Sequence, residues 1–342
     1  MGKHHVGLRV DAIERLTRDA TDSRSLRAEL LTMLRREVGF DWYVWVLTDP
    51  ATSVGVDPLA EIPDRSAIAT TIRLKYVTPL NRWTSLDHAA RIGSLATESR
   101  LWREAQTQYG VVDVASLALR DRYGCWGFID LWSTSPFTDD DLSVLDSLAP
   151  SLTGAMRLTR ALSFRAPTAV ATPSSGPVVL VLGDDLAIRE QARSSEEWLR
   201  LILPQPDGSQ PIPACAFNVA AQLLAREAGI DDNEAKARMP LPGGHWVTLR
   251  ASRLDPHNTI AVTIERTTPH DRLDVFGRAH GLSDREAQLV ALLGSGVDTT
   301  TAAARLHLSP HTVQDHLKAM FAKSGVHSRR ELLARALGAP VA

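Results

Sequence analysis

The chain has 342 residues, more than a single hydrophobic core usually supports, so its length predicts two or three domains. Its hydrophobic content of 44% and charged content of 23% are typical of a globular protein, and no apolar run reaches the ~20 residues of a membrane span. The first nine residues lack the apolar core of a secretion signal, so we expect a cytoplasmic protein without a membrane partner. Its two cysteines, Cys125 and Cys215, lack metal-ligand spacing and are predicted to be buried free thiols.

The patterns at residues 9–163 predict a first α+β domain. It opens with a helical repeat of leucines and continues in a strand at residues 42–47. Two further strands, at 111–120 and 126–132, are joined by a predicted hairpin turn. Thr138, followed by three aspartates, is predicted to cap a last amphipathic helix.

Residues 164–177 are rich in Ala, Pro, Thr, Ser and Gly, a composition that predicts a linker. Residues 178–268 then predict a second α+β domain. Its expected elements are a strand at 178–182, helices near 196–203 and 218–228, and strands at 245–254 and 259–265.

Charge is unevenly distributed along the chain. From residue 278 to the end there are eight lysines and arginines against five acids, a net charge of +3, whereas the rest of the chain carries −5. This end also contains five of the eleven histidines. A mildly basic end on an acidic body is typical of a DNA-binding domain joined to domains that do not bind DNA.

Helix start and stop signals are dense in this basic end, and they predict an all-α domain of four short helices at residues 274–340. Ser283 and Glu286 fit a capping box, and Ser328 with Glu331 repeats it. Asp298 and Ser309 are predicted to cap the two helices between them. The short connection between the second and third helices has the length that a helix-turn-helix allows.

The third of these helices has two different faces. Its apolar positions follow helical spacing and are predicted to face the core: Val313, Leu317, Met320 and Phe321. The opposite face carries side chains that can hydrogen-bond to base edges: His311, Gln314, Asp315 and Lys318.

At this point the sequence resembles the LuxR-type helix-turn-helix over about residues 281–337. The match is carried by Leu282, Ser283, Arg285, Glu286, Gly296, Ala303, Leu306, Leu308, Ser309, Pro310, Thr312, Val313, His316, Leu317, Lys323, Gly325, Val326, Ser328 and Arg329. The resemblance implies a four-helix domain that binds DNA as a dimer, with its third helix in the major groove.

Carried over by position, the resemblance implies that Gln314, Asp315 and Lys318 face bases while Thr312 and Lys323 contact the DNA backbone. Ser309 and His311, at the start of the same helix, complete the candidate DNA-binding set. Gln314 and Asp315 stand where such domains often carry lysine and a polar amide, a departure that is expected to weaken phosphate attraction.

The two preceding segments are similar in their order of elements to known sensory domains. Residues 9–163 resemble a GAF domain, and residues 178–268 resemble a PAS domain more loosely. Both resemblances imply small-molecule binding or dimerisation. Six tryptophans of the first segment either line an apolar pocket or pack in the core and a dimer interface: Trp42, Trp45, Trp83, Trp102, Trp126 and Trp132.

The sequence therefore predicts a multidomain transcription regulator, with GAF-like and PAS-like α+β domains followed by the all-α LuxR-type domain. Its expected partners are double-stranded DNA, a second copy of the chain, a small-molecule effector and RNA polymerase. No nucleophile elbow, P-loop, zinc-protease helix or dinucleotide-binding glycine motif is present, so neither an enzyme nor a bound cofactor or metal is expected. The alternative is an interaction or ligand-sensing protein whose DNA binding is weak or lost.

Overall fold

The computed structural model describes residues 2–164, 176–192, 194–202, 212–255 and 259–338. The predicted linker, 164–177, falls for the most part outside these ranges. The described residues divide into two compact units. The first unit lies within 2–156, 176–239 and 248–265, and the second within 157–164, 240–247 and 266–338. None of the described helices is both long enough and apolar enough to cross a bilayer.

The N-terminal part of the first unit, residues 2–156, is built on a five-stranded antiparallel sheet with the strand order β2-β1-β5-β4-β3. Short 3₁₀ and π-helical turns occupy most of the chain between β3 and β4. The elements are α1 (Gly2–Asp19), α2 (Ser23–Val38), β1 (Trp42–Thr48), β2 (Gly55–Glu61), α3 (Ile68–Val77), β3 (Ala90–Arg91), β4 (Asp113–Asp121), β5 (Gly124–Ser133) and α4 (Asp139–Leu162).

The three strands and two helices predicted for this part are confirmed. The amide of Asp141 donates to Thr138 Oγ1 over 3.2 Å, so Thr138 caps α4 as expected. The patterns did not predict β2, which contains Pro58. Proline lacks a backbone donor and is tolerated here because β2 is an edge strand of the sheet.

The central part of the first unit, residues 176–239 with 248–265, has a second five-stranded sheet with the order β7-β6-β10-β9-β8. Counted from its own first strand, this is the same order as in the N-terminal sheet. The elements are β6 (Val178–Gly183), β7 (Ile188–Gln191), α5 (Ser195–Ile202), α6 (Ala214–Glu227), β8 (Lys236–Pro240), β9 (Trp246–Asp255) and β10 (Thr259–Arg266). Every second residue of β10, Ile260, Val262 and Ile264, is fully buried, as expected for a strand with one face on a core.

Two buried ion pairs join the N-terminal and central parts of this unit. Arg82 Nη2 lies 2.8 Å from Asp231 Oδ2, and Arg238 Nε lies 2.7 Å from Asp49 Oδ2. Burial raises the pKa of the Asp49 carboxyl, but the hydrogen bonds and charge of Arg238 outweigh this effect and hold the pKa below its usual value.

The second unit contains five helices, α7 (Pro269–Ala279), α8 (Asp284–Gly294), α9 (Thr299–Leu306), α10 (Pro310–Ser324) and α11 (Arg329–Leu337). The four predicted helices are confirmed. The patterns missed α7, although Thr268 caps it and Pro269 occupies its first turn, the signals that identified the others.

The predicted capping boxes differ in outcome. Ser283 and Glu286 form the complete box at the start of α8. At α11 the amide of Glu331 donates to Ser328 Oγ, but Glu331 Oε2 accepts from the amide of His327 rather than from that of Ser328. The second box was therefore only half right, because the carboxylate reaches one residue further back.

The tryptophans of the N-terminal part lie mainly in the core. Trp45, Trp83, Trp126 and Trp132 are at most 2% exposed, and Trp42 and Trp102 pack as half-buried side chains against the core cluster around Trp132. Both cysteines are buried free thiols, as predicted, and burial raises the pKa of Cys215 to about 12.

Candidate nucleic-acid interface and cavity

The predicted polar face of α10 is exposed. His311, Gln314, Asp315 and Lys318 all face solvent, with 76% of the Lys318 side chain accessible. On the opposite face Val313 and Met320 are fully buried. Because the apolar stripe anchors the helix in a helical core, its polar side chains are held outward in a fixed order.

The turn between α9 and α10 fixes where the exposed face begins. His307 ends α9 in the left-handed conformation, with φ 54° and ψ 44°. Ser309 Oγ then accepts from the amide of Thr312 over 3.1 Å and lies 2.9 Å from Thr312 Oγ1. These two candidate residues therefore form the N-terminal cap of α10.

Asp315 largely balances the charge of the exposed face. Its carboxylate lies 3.6 Å from His311 Nε2 and 3.8 Å from Lys318 Nζ. All three side chains are more than half exposed, so these contacts are screened by water. The face therefore offers donors and acceptors for base edges and little net positive charge.

Lys323 forms an ion pair within the domain. Its Nζ lies 2.6 Å from Glu286 Oε2, and 5% of the Glu286 side chain is exposed. Burial raises the pKa of Glu286, but the hydrogen bonds from Lys323 and from the Ser283 amide outweigh it and keep the pKa below its usual value. Lys323 thus links the end of α10 to the start of α8.

Two arginines that were not among the predicted functional residues bind α11 to the rest of the domain. Arg329 Nη2 donates to Val297 O over 2.9 Å, which ties the start of α11 to the loop before α9. Arg335 Nη1 donates to Ser324 O over 3.2 Å at the C-terminal end of α10. Both contacts hold α11 against the two helices of the helix-turn-helix.

Arg272 on α7 is a buried cation that is surrounded by aromatic rings. The Arg272 guanidinium lies 4.9 Å from the ring centre of Phe164 and 5.5 Å from that of Trp246. Burial lowers the pKa of Arg272 to about 10 and that of His280, which packs on Phe276, to about 4. Arg272 also donates to Arg335 O over 3.1 Å, so this cluster connects α7 to α11.

The first unit contains a cavity of about 700 Å³ between the N-terminal sheet and α3. The neighbouring strands β1 and β5 form the sheet side of the cavity. Val44 of β1 pairs with Asp130 of β5, and Val46 pairs with Phe128. Trp132 is the one tryptophan of the predicted six that lines this cavity. Among the residues that the structure describes, the lining is Arg24, Tyr43, Val44, Val46, Pro58, Ala60, Glu61, Ile62, Arg65, Ile68, Thr71, Ile72, Lys75, Tyr76, Leu101, Phe128, Asp130, Trp132, Ile212, Ala214 and Asn218.

A buried polar cluster lies within this lining, whereas the other charged lining residues, Arg24, Glu61 and Arg65, are exposed. Lys75 Nζ lies 2.9 Å from Asp130 Oδ2, and the two side chains are 9% and 6% exposed. Ser116 Oγ donates to Asp130 Oδ1 over 2.7 Å. Within the part of the chain that the structure describes, no group of three or more His, Cys, Asp or Glu residues is arranged to hold a metal ion.

One protein family and two solved structures are similar to parts or all of this chain. Residues 280–336 match the family described as bacterial regulatory proteins, luxR family. Among solved structures, Escherichia coli SdiA is similar at 13% identity and a TM-score of 0.31, over 96% of this chain and 97% of that one. VqmA bound to DPO is similar at 18% identity and a TM-score of 0.19, over 48% of this chain and 82% of that one. No curated protein sequence matches the chain. The region of α8 to α11, residues 280–336, is a LuxR-family helix-turn-helix domain.

Proposed function

We propose that this chain is a sequence-specific transcription regulator that inserts α10 into the major groove of double-stranded DNA. The observation that carries the proposal is the exposed polar face of α10, held outward by the buried Val313 and Met320 within a LuxR-family domain. Gln314 suits adenine, Lys318 suits guanine, and Asp315 can accept from the cytosine amino group.

The remaining candidates act at the edges of this helix in the proposal. Ser309, His311 and Thr312 lie at its N-terminal end, where hydroxyl and imidazole groups can meet a phosphate. Lys323 lies at the other end, and its ion pair with Glu286 reduces the charge that it offers to the DNA backbone. Most of the specificity is therefore assigned to Gln314, Asp315 and Lys318.

The first unit is proposed to sense a small molecule or to mediate a homodimer, with a GAF-like N-terminal part and a PAS-like central part. The shared strand order of the two sheets and the cavity of about 700 Å³ support this assignment. A ligand changes DNA binding only if it favours one arrangement of the chain over another.

The test is selection of bound sequences from random duplexes by the full-length chain, followed by titrations at several salt concentrations. A DNA reader should enrich one sequence and lose affinity steeply as salt rises. Gln314→Ala should reduce the preference for the enriched sequence. Gln288→Ala is the matched control, because Gln288 is exposed on α8 of the same domain.

Failure to enrich any sequence, together with salt-independent binding, would favour the second candidate, an interaction protein that has lost DNA binding. The observation that supports this second candidate is the near balance of charge around Asp315.

A further inference from the structure

The cavity is shared by the two parts of the first unit. Its sheet and α3 belong to the N-terminal part, whereas Ile212, Ala214 and Asn218 belong to the central part. The parts meet closely here, since a Cβ added at Gly55 would lie 2.9 Å from Asn218 Oδ1. Any molecule that fills the cavity therefore contacts both parts.

The charged groups in the polar cluster already compensate each other. Lys75 is bound to Asp130 at 2.9 Å, and Asp130 also accepts from Ser116. A further charge placed beside this pair would lose its hydration without gaining an uncompensated partner. The cluster therefore favours an uncharged polar group.

Two lining residues carry buried polar atoms without a hydrogen-bond partner among the described residues, Trp132 Nε1 and Thr71 Oγ1. Thr71 lies one helical turn before Lys75 on α3, and Trp132 lies two residues after Asp130 on the same face of β5. The indole nitrogen can only donate, and the hydroxyl can donate, so both suit an oxygen acceptor. Buried polar groups are normally satisfied, and these two flank the ion pair.

We infer that, in the regulator proposed above, this cavity binds an uncharged and largely apolar small molecule whose carbonyl-type oxygen accepts from Trp132 Nε1 and Thr71 Oγ1, and that the molecule bridges the N-terminal and central parts. The cavity volume of about 700 Å³ lies in the range that is typical of small-molecule binding sites. Val44, Val46 and Phe128 line the cavity beside its apolar body, and Ala214 and Asn218 line it from α6.

The experiment uses the full-length chain and two fluorescent naphthalene probes of similar size. Prodan is uncharged and carries one ketone, whereas anilinonaphthalene sulfonate is an anion. We expect one prodan per chain and at least a tenfold lower Kd for prodan than for the sulfonate. Tighter binding of the sulfonate, or absence of prodan binding, overturns the inference.

Variants test the two donors. Thr71→Val removes a donor with little change of volume, Trp132→Phe removes the indole donor together with one ring, and each should weaken prodan binding about tenfold. Thr32→Val is the matched control, because Thr32 is an exposed threonine on α2, and it should leave the affinity unchanged. Unchanged affinity in both cavity variants contradicts the assigned contacts.

Hydrogen exchange tests the bridge. Saturating prodan should slow amide exchange in both α3 and α6, and protection of α3 alone would contradict the bridging role. DNA binding of Thr71→Val without probe should equal that of the unaltered chain. If these tests fail while sequence-specific DNA binding persists, the inference about the cavity is wrong and the proposed function stands.

Discussion

Arg82 and Asp231 lie 149 residues apart in the sequence, yet Arg82 donates to one carboxylate oxygen of Asp231 through both Nε and Nη2, at 3.0 and 2.8 Å. The guanidinium also donates to Gln222 Oε1 over 3.1 Å and stacks 4.6 Å from the ring centre of Trp83. This arrangement satisfies a buried cation at the contact between the N-terminal and central parts. Together with the Arg238–Asp49 pair, it is one of the contacts that join the two parts of this unit.

Breaking this pair should destabilise the first unit. Arg82→Gln leaves the Asp231 carboxylate buried without its cation, and we expect a loss of about 3–5 kcal/mol in the free energy of unfolding. Urea denaturation followed by circular dichroism measures the change. Arg200→Gln is the control, because the Arg200–Glu196 pair at 2.8 Å is about half exposed, and its loss should cost about 0–1 kcal/mol. Equal losses in the two variants would contradict a special role for Arg82.

The two buried ion pairs between these parts could not be predicted from local sequence patterns. Caps such as Ser283 and Asp298 act within three residues and were predicted correctly from local spacing. The partners of Arg82 and Asp49 lie 149 and 189 residues away, and nothing in the local pattern connects them. An apolar pocket was one of the two alternatives for the tryptophans, but the position of the cavity and most of its lining were not predicted, since the lining comes from distant strands and helices that only the folded chain brings together.

The exposed face of α10 was predicted because helical spacing alone separates Val313 and Leu317 from Gln314 and Lys318. The ion pair of Lys323 with Glu286 was not predicted, because each residue had a local explanation of its own. Exposure and pairing therefore differ in what a sequence can reveal. The first depends on periodicity, and the second on tertiary packing.

Lys318→Ala should weaken binding to the selected DNA sequence. If Lys318 reads a base, the loss is roughly 1–3 kcal/mol and is confined to that sequence. If it contacts a phosphate, the loss is uniform across sequences and the salt dependence becomes shallower. Fluorescence anisotropy with selected and random duplexes distinguishes these results. Arg15→Ala, an equal charge change on the exposed side of α1, serves as control. Unchanged binding would remove Lys318 from the interface.

Asp315→Asn should strengthen binding to random duplexes, because it removes the one acid that lies between His311 and Lys318 on the exposed face. We expect the salt slope to steepen by up to about one counterion. The preference for the selected sequence should fall if Asp315 accepts from a cytosine. Titrations at three salt concentrations provide both values, with Asp87→Asn as the exposed control. Weaker binding to random DNA would contradict the electrostatic role given to Asp315.

His280 should make the second unit sensitive to mild acid. Burial lowers the pKa of His280 from 6.5 to about 4, so the unfolded chain binds a proton that the folded chain excludes between these values. Unfolding therefore becomes easier as the pH falls from 6.5 towards 4, and the loss at pH 5 relative to pH 7.5 is about 2 kcal/mol. About one pH unit above 6.5 and higher, His280 is largely neutral in both states and contributes almost no pH dependence.

The measurement is urea unfolding of the full-length chain at pH 7.5 and pH 5. His280→Phe should reduce the difference between the two pH values by about 2 kcal/mol, since phenylalanine keeps the ring contact with Phe276 and cannot bind a proton. His88→Phe should retain the original difference, because 84% of the His88 side chain is exposed. Acid sensitivity that persists in full in His280→Phe would contradict the role given to His280, because the carboxylate of Glu286, whose pKa is lowered, loses its contribution mainly below its ordinary pKa of 4.5.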